Sequence, residues 1–426
     1  MEIRPFRGWR YRPDDGDVSD RIAPPYDVLG PQDKRELLSR CGHNIVAVDL
    51  PHAPASELGP DEDYIAAANV LEDWKQQGVL ASEEAPAVYA YEQSYTCGGR
   101  TYHRRAMLCG LRATPLGEDV IPHEHTFAGP KADRLRLTEL TRTQLSPIFA
   151  FHEDPHDAAG ALWSACESCP PELKGRLGDV EEKLWVVTDE KVIEAVRDAL
   201  RDQPAYIADG HHRYTTGLNY RDRLAEAGEL TEDHEANFIF FALVPRTDPG
   251  LLVLPTHRVY SRLGGDFSLD RLAAVADEFE WRRHEASEEI LADLPGLLRE
   301  SPKHTFVFTD GDSVWTATLR SAEAMVQAAG DQPKPWRELD VAIFQKLIAE
   351  RRLEPAGRDA TSIDYTPDAA DAAGRCVRGE ADLACILPAT PIEAVEAVAD
   401  AGASMPHKST YFYPKLATGM VLKPLQ

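Results

Sequence analysis

An α+β fold is predicted from three features of the 426-residue chain. Two β-rich runs, Ala87 to Tyr95 and Tyr102 to Ala113, flank Cys97-Gly98-Gly99-Arg100, a hairpin signature. The segment Tyr206 to Leu218 reads as a buried strand end, a sharp Asp209-Gly210 turn and the first turns of a helix running to about Leu224. Beyond residue 260, helical patterns alternate with the strand pair Thr305–Thr309 and Val314–Leu319. Three units follow: an N-terminal α+β unit over 1–85, a central core over 86–260 that carries the candidate site residues taken up below, and a C-terminal α+β unit over 261–426.

With 43% hydrophobic residues the chain can bury a sizeable core. Lys and Arg number 46 against 71 Asp and Glu, a net charge of −25. Such a surface repels nucleic acid and anionic membrane, so any phosphate needs a local cationic patch. No window approaches the about 18–20 apolar residues that span a bilayer, and the start MEIRPFRGWRY has no signal-type apolar run, so a cytoplasmic location is expected. Seven cysteines are scattered except for Cys166 and Cys169, which read as reduced thiols rather than a metal knuckle.

In chain order, Arg21-Ile22-Ala23-Pro24-Pro25-Tyr26-Asp27-Val28 is a Pro-constrained turn with its polar ends held, suited to lining a site or to packing domains. Asp61 to Gln77 carries Tyr64, Ala67, Ala68, Leu71 and Trp74 at helical spacing, a core stripe. A helix is expected from about Ala132 to Thr143, with Arg134, Arg136 and Arg142 open to solvent or ligand, then a strand over Ser146 to Phe151. The Pro- and Cys-rich stretch Asp154 to Glu182 reads as loop with one helix near Ala158 to Cys166. Leu184 to Val187, Asn237 to Pro245, Leu251 to Tyr260 and Ala381 to Leu387 read as strands. Glu190–Leu200, Asp266–Trp281, Ser287–Glu300, Leu339–Ile348 and Ile392–Ala401 read as helices.

The turn at Gly210 carries the chemistry. A helix start aims unpaired N–H groups at one point and its positive end favours an anion. Gly210 lets the backbone approach, Arg213 adds a planar charged fork, and His211 and His212 can donate to the same oxygens, which together describe a phosphate or pyrophosphate cradle. The plainer reading is a helix capped by Asp209 with surface histidines. His123-Glu124-His125 supports an acid–base role for Glu124, a metal site in which His123 and His125 join His211 and His212, or a polar loop that caps the next helix. Lys131, Arg134, Tyr214 and Thr215 lie close enough in sequence to these motifs to touch substrate or donor. His257 and Arg258 either join the anion patch or pair with nearby acids. In the tail Met405 to Leu416, Lys408, Ser409 and Lys415 reach the anion site, or the segment closes the C-terminal unit as an edge strand.

The set RIAPPYDV, HEHTF with DRLRL, SPIF, IADGHHRYTT, LLVLPTHR and MPHKSTYFYPK resembles domain-of-unknown-function family 1015 over essentially the whole chain. The stretch from Glu124 to Arg213 is similar in layout to the ParB and sulfiredoxin superfamily, and its Asp-Gly-His-His-Arg form resembles the branch of free L-serine kinases. That resemblance implies a ParB/sulfiredoxin-like core in which Gly210, His211, His212 and Arg213 hold donor phosphates. It also implies Glu124 as general base and Asp209 as the residue orienting cradle or substrate amine. The implied reaction makes O-phosphoserine from L-serine, or phosphorylates a similar small alcohol, with Mg²⁺ and ATP, ADP or pyrophosphate as donor. Small molecules are then the partners, without nucleic acid or membrane, and a homodimer is compatible with this reading. No GxxxxGK[ST] loop or HRD and DFG set is present, which excludes those kinase folds. Two rivals stand: a metal-dependent hydrolase built on the histidine cluster, and a non-catalytic ParB-like nucleotide-binding module.

Overall fold

The computed structural model describes every residue except 14–15, 56, 125, 127 and 355–360. Contacts divide the chain into two compact units, Met1–Leu252 with Pro414–Gln426, and Val253–Tyr413. The break read near residue 85 is crossed by backbone pairing: strand Ile3–Arg4 lies against Arg100–Arg112, and Phe6 bridges Ala87. Through Ile3–Arg4 the N-terminal segment joins the sheet of the segment that follows it, and the two belong to one compact unit.

The first unit is built on a nine-stranded mixed sheet. Phe238–Pro245, FIFFALVP, is buried at every position, as expected of a strand covered on both faces. It pairs antiparallel with Arg100–Arg112 and parallel with Ile148–His152. Arg100–Arg112 turns back on Val88–Cys97 through Gly98 and Gly99, both at positive φ (57° and 74°), the backbone a two-residue hairpin turn demands. Near one edge, Ala205–Asp209 runs antiparallel to Ile148–His152 and parallel to Val120–Ile121, with its register broken between Ile207 and Asp209. The parallel pairing has a direct consequence. The residues after Ile121 and those after Asp209 emerge at the same end of the sheet.

Three sequence expectations are corrected. The stretch read as loop contains the strand Leu173–Leu177, which pairs with Val180–Val187, so the sheet extends past the Pro- and Cys-rich segment. The helix expected over Asp266–Trp281 is Leu269–Val275 only; Phe279–His284 is a strand because its alternating pattern pairs with Val314–Leu319. Leu251–Tyr260 divides into Leu252–Leu254 and His257–Ser261 around Pro255, which lacks the N–H a ladder needs. In the second unit six strands form an antiparallel sheet, with Thr305–Thr309 and Leu383–Ile386 near its centre.

The last thirteen residues pack along the first unit. Thr418 bridges Ala23, Leu422 bridges Trp9, and Lys423–Pro424 pairs with Thr143–Gln144. A buried polar network holds the start of this strap. Gln93 donates from Nε2 to the Lys415 carbonyl (3.0 Å) and to Glu182 (3.0 Å), and Arg104 donates to the Pro414 carbonyl (2.6 Å) and to Gln93. The Tyr91 hydroxyl donates to Glu182 at 2.5 Å and accepts the Ala417 N–H at 3.3 Å. Every group named in the network except the Lys415 carbonyl comes from a residue that is buried, a setting in which a missing partner is costly.

Two stability predictions follow from this packing. Burial pushes the Glu182 carboxyl up to about 7 against hydrogen bonds from Tyr91 and Gln93 and the charge of Arg104. A carboxyl that binds its proton more tightly when folded makes stability fall as pH rises from about 4.5 to about 7, by up to about 3 kcal/mol. Glu182→Gln should flatten that slope in urea unfolding across the window, and an unchanged slope would contradict the assignment. Separately, a Cβ on Gly250 would lie 2.5 Å from the Arg104 backbone nitrogen and 2.6 Å from its Cα. Since backbone cannot move aside cheaply, Gly250→Ala should cost about 1–3 kcal/mol in the same assay.

Candidate functional site

Helix His211–Glu226 begins at Gly210, whose backbone is left-handed (φ 100°, ψ 26°) and which has no side chain with which to cap the first turn. A residue with a Cβ would be strained there. Expectation and structure agree on the strand, the turn and the helix, and differ on Asp209. It is not the cap. Its carboxylate lies between two cations, Arg213 Nη2 at 3.2 Å from Oδ2 and Lys415 Nζ at 3.4 Å from Oδ1. Burial raises its pKa, but Lys415 and Arg213 outweigh that and hold it down at about 2. The mouth of the helix, toward which first-turn main-chain N–H groups point, is partly open at Asp209, Gly210, His212 and Arg213.

Arg213 faces inward. Its guanidinium donates to the Pro147 carbonyl, to Ser146 Oγ (3.4 Å) and to Asp209, and packs under Gly210, where a Cβ would meet it at 3.0 Å. The fork expected to clasp phosphate is thus committed to protein oxygens, and its charge reaches the mouth through Asp209. A cavity of about 50 Å³ lies beside Arg213, lined among others by Tyr26, Asp49, Arg134 and Thr216. That volume suits a water-sized group rather than a diphosphate, which would have to sit at the open mouth.

The parallel pairing of Val120–Ile121 with Ala205–Asp209 brings Glu124 to the same place. His211 Nε2 accepts the His123 main-chain N–H at 3.2 Å, so the ring carries its proton on Nδ1, which lies 3.8 Å from Glu124 Oε2. The two imidazoles meet edge to face at 4.7 Å between centroids. Burial lowers the pKa of His123 to about 4 and holds His211 well below its usual value, with His123 adding to the effect. His212 is lowered too, by burial and then by the Lys131 charge, while Asp27 opposes this. All three rings are neutral near pH 7. Glu124 keeps a third of its side chain exposed.

Other candidates are placed elsewhere. Arg134 was read as open to solvent or ligand and is instead buried, paired with Asp133 (2.6 Å) and with Asp49 (3.4 Å), and stacked 4.0 Å from the Tyr26 ring. Two carboxylates and a ring draw it into the core. Tyr214 is buried and exchanges hydrogen bonds with Thr114, and Thr215 donates to the His211 carbonyl one turn back. Within the second unit, His257 Nδ1 accepts the Leu387 N–H, Arg258 donates to the Thr256 and Lys408 carbonyls, and Ser409 donates to the Pro406 carbonyl. Lys408 is exposed. His125 lies outside the described residues. Among the described residues no group of three or more His, Cys, Asp or Glu is placed to hold a metal ion. His211 offers none of its lone pairs, since Nε2 already accepts an N–H.

Sequence reasoning passed over Ser146, the Pro147 carbonyl, Asp49 and Gln93. For Asp49 and Gln93 the signal was present: a polar residue inside a run of buried neighbours, Val48-Asp49-Leu50 and Tyr91 to Ser94. A main-chain carbonyl such as that of Pro147 leaves no mark in a sequence.

Among solved structures, the chain is similar to a free serine kinase variant in complex with AMP at 13% identity, with a TM-score of 0.35 over 74% of this chain and 92% of that one. A conserved hypothetical protein from Pyrococcus furiosus stands at 14% identity and 0.32 over 74% and 95%. SbnI from Staphylococcus aureus, with a C-terminal truncation, stands at 12% and 0.35 over 75% and 87%. No curated protein matches the chain in sequence. A family model matches residues 3–342, most of the chain, and by that match the protein belongs to the DUF1015 family, described as a protein of unknown function.

Proposed function

We propose that this protein is a phosphotransferase that moves the terminal phosphoryl group of ATP, ADP or pyrophosphate to the hydroxyl of free L-serine or a similar small alcohol. The observation that carries the reading is the position of Glu124. Its carboxylate stands 3.8 Å from His211 at the left-handed start of a helix, although 87 residues separate the two in sequence. Main-chain N–H groups at that start suit phosphate oxygens, and the helix end favours their charge. The motifs shared with free serine kinases point the same way. The reading of residues 86–260 as a ParB/sulfiredoxin-like catalytic core belongs to this proposal, with the Tyr26–Val28 turn and the residue Lys415 added to the site.

The chemistry asked of these residues is modest. An acceptor oxygen attacks the terminal phosphorus, the bond from phosphorus to the bridging oxygen breaks, and the rest of the donor leaves with that oxygen. The acceptor proton passes to Glu124. In-line phosphoryl transfer of this kind needs positioning and charge neutralisation more than covalent help. His211, neutral and with its Nδ1–H directed at Glu124, orients that carboxylate as an acceptor. Asp209 stays ionised, with Arg213 behind it, and holds the Lys415 ammonium beside the helix start. A Mg²⁺ ion bound with the donor would supply further neutralisation. It generally needs one or two carboxylates besides phosphate oxygens, and the exposed Asp27 fits that need better than Asp209, which two cations already flank.

The rival hydrolase is disfavoured by the committed lone pair of His211, and a DNA-associated form of the ParB-like module by the net charge of −25; a non-catalytic nucleotide-binding module would bind the donor without transfer. Phosphorus NMR of the purified protein with each donor against a panel of amino acids and polyols tests the proposal. Donor-dependent appearance of a phosphoserine-type ester is expected, and no transfer from any donor to any acceptor would refute it. Glu124→Gln should lower turnover on the order of a hundredfold while donor affinity stays within about twofold. A collapse of donor affinity instead would make Glu124 a metal or structural residue.

A further inference from the structure

The strap that ends the chain places one charged group, the Lys415 ammonium, at the helix mouth. Nothing near in sequence accounts for its position. Lys415 lies 206 residues beyond Asp209, yet its Nζ is 3.4 Å from the Asp209 carboxylate. The main chain around it is held from three sides. Arg104 binds the carbonyl before it, Gln93 binds its own carbonyl, and Tyr91 receives the N–H two residues on. These three side chains stand on the adjacent strands Val88–Cys97 and Arg100–Arg112. They are tied to one another through Gln93 and Glu182, and Arg104 is further packed 4.5 Å from the Phe149 ring.

Burying an arginine, a glutamine, a tyrosine hydroxyl and a carboxyl together is expensive unless each finds partners. A plain apolar contact would hold a terminal strap at less cost. What the network adds is direction: hydrogen bonds to two consecutive carbonyls and to an N–H specify where a backbone lies and which way the intervening side chain leaves it. Here that side chain is the lysine. Its charge matters because Asp209 is flanked by two cations, Arg213 and Lys415, and one carboxylate does not neutralise both, in a chain of net charge −25.

We infer that Lys415 is a binding residue for the diphosphate of the donor, and that Gln93, Arg104 and Tyr91 are positioning residues that hold the strap so that its ammonium faces the Gly210 helix start. The inference rests on the phosphotransferase reading and deepens it by assigning the recognition of charge to a segment outside the residues 3–342 that the family model matches.

A double-mutant cycle in the full chain tests this, with inorganic pyrophosphate as the probe in isothermal titration calorimetry. Lys415→Met should weaken pyrophosphate binding about tenfold or more, as loss of a charge-assisted contact does, with the chain still folded by circular dichroism. Gln93→Met should weaken it as well, but in the Lys415→Met background it should have almost no further effect, because misplacing an absent ammonium costs nothing. If Gln93→Met does not fold, Tyr91→Phe takes its place in the cycle. Wild-type affinity in Lys415→Met overturns the inference and leaves the phosphotransferase reading standing. A positioning variant that weakens binding by its full factor in both backgrounds overturns the positioning role. A wild-type chain that binds neither pyrophosphate, ADP nor ATP overturns the reading and the inference together.

Discussion

The site depends on how one carboxylate is held. Asp209 ends the strand Ala205–Asp209, just where the register of pairing with Ile148–His152 breaks, and the next residue turns left-handed. Without Gly210 the turn would be strained, and without the break the side chain of Asp209 would be aimed along the regular pleat. Given both, one oxygen of the carboxylate meets Arg213 and the other meets Lys415. An aspartate used in this way cannot also cap the helix. Beside the first turn that one carboxylate is set against a pair of cations.

That arrangement is assembled from four distant segments, and each arrives by a different device. Parallel pairing of Val120–Ile121 with Ala205–Asp209 delivers His123 and Glu124, because parallel strands release their chains at the same end. Antiparallel pairing delivers Ser146 and Pro147, whose hydroxyl and carbonyl hold Arg213. The Tyr26–Val28 turn is docked by Arg134, which stacks on Tyr26 while paired with Asp49 and Asp133. The strap arrives through a buried polar network. Rigid devices predominate, which suits chemistry that gains chiefly from position.

Much of this was legible in the sequence because its signals are local. The hairpin at Gly98-Gly99, the stripe of Tyr64, Ala67, Leu71 and Trp74, and the strand, turn and helix around Gly210 each depend on neighbours a few residues away. Glu124 and His211 were read as site groups from their own motifs, and the ladder that joins them needed the structure. The direction of Arg213 was not legible. An arginine after a Gly-His-His turn has the same sequence whether its fork points to a ligand or back to Asp209 at i−4, and the carbonyl of Pro147, which helps decide the matter, has no side-chain signature. The strand Leu173–Leu177 was hidden by composition, since Pro, Cys and Gly flank a segment whose order comes from pairing with Val180–Val187.

The histidines mark the difference between what a motif suggests and what burial permits. Two adjacent imidazoles at a phosphate-type turn invite the idea of positive charge, yet His123 is driven to about 4 and His211 further from its usual value, and each loses most of its contact with water. A neutral ring can still direct a hydrogen bond. His211 does so twice, accepting from the main chain at Nε2 and presenting Nδ1–H toward Glu124. The charge that attracts an anion then comes from the helix end and the Lys415 ammonium rather than from the histidine rings.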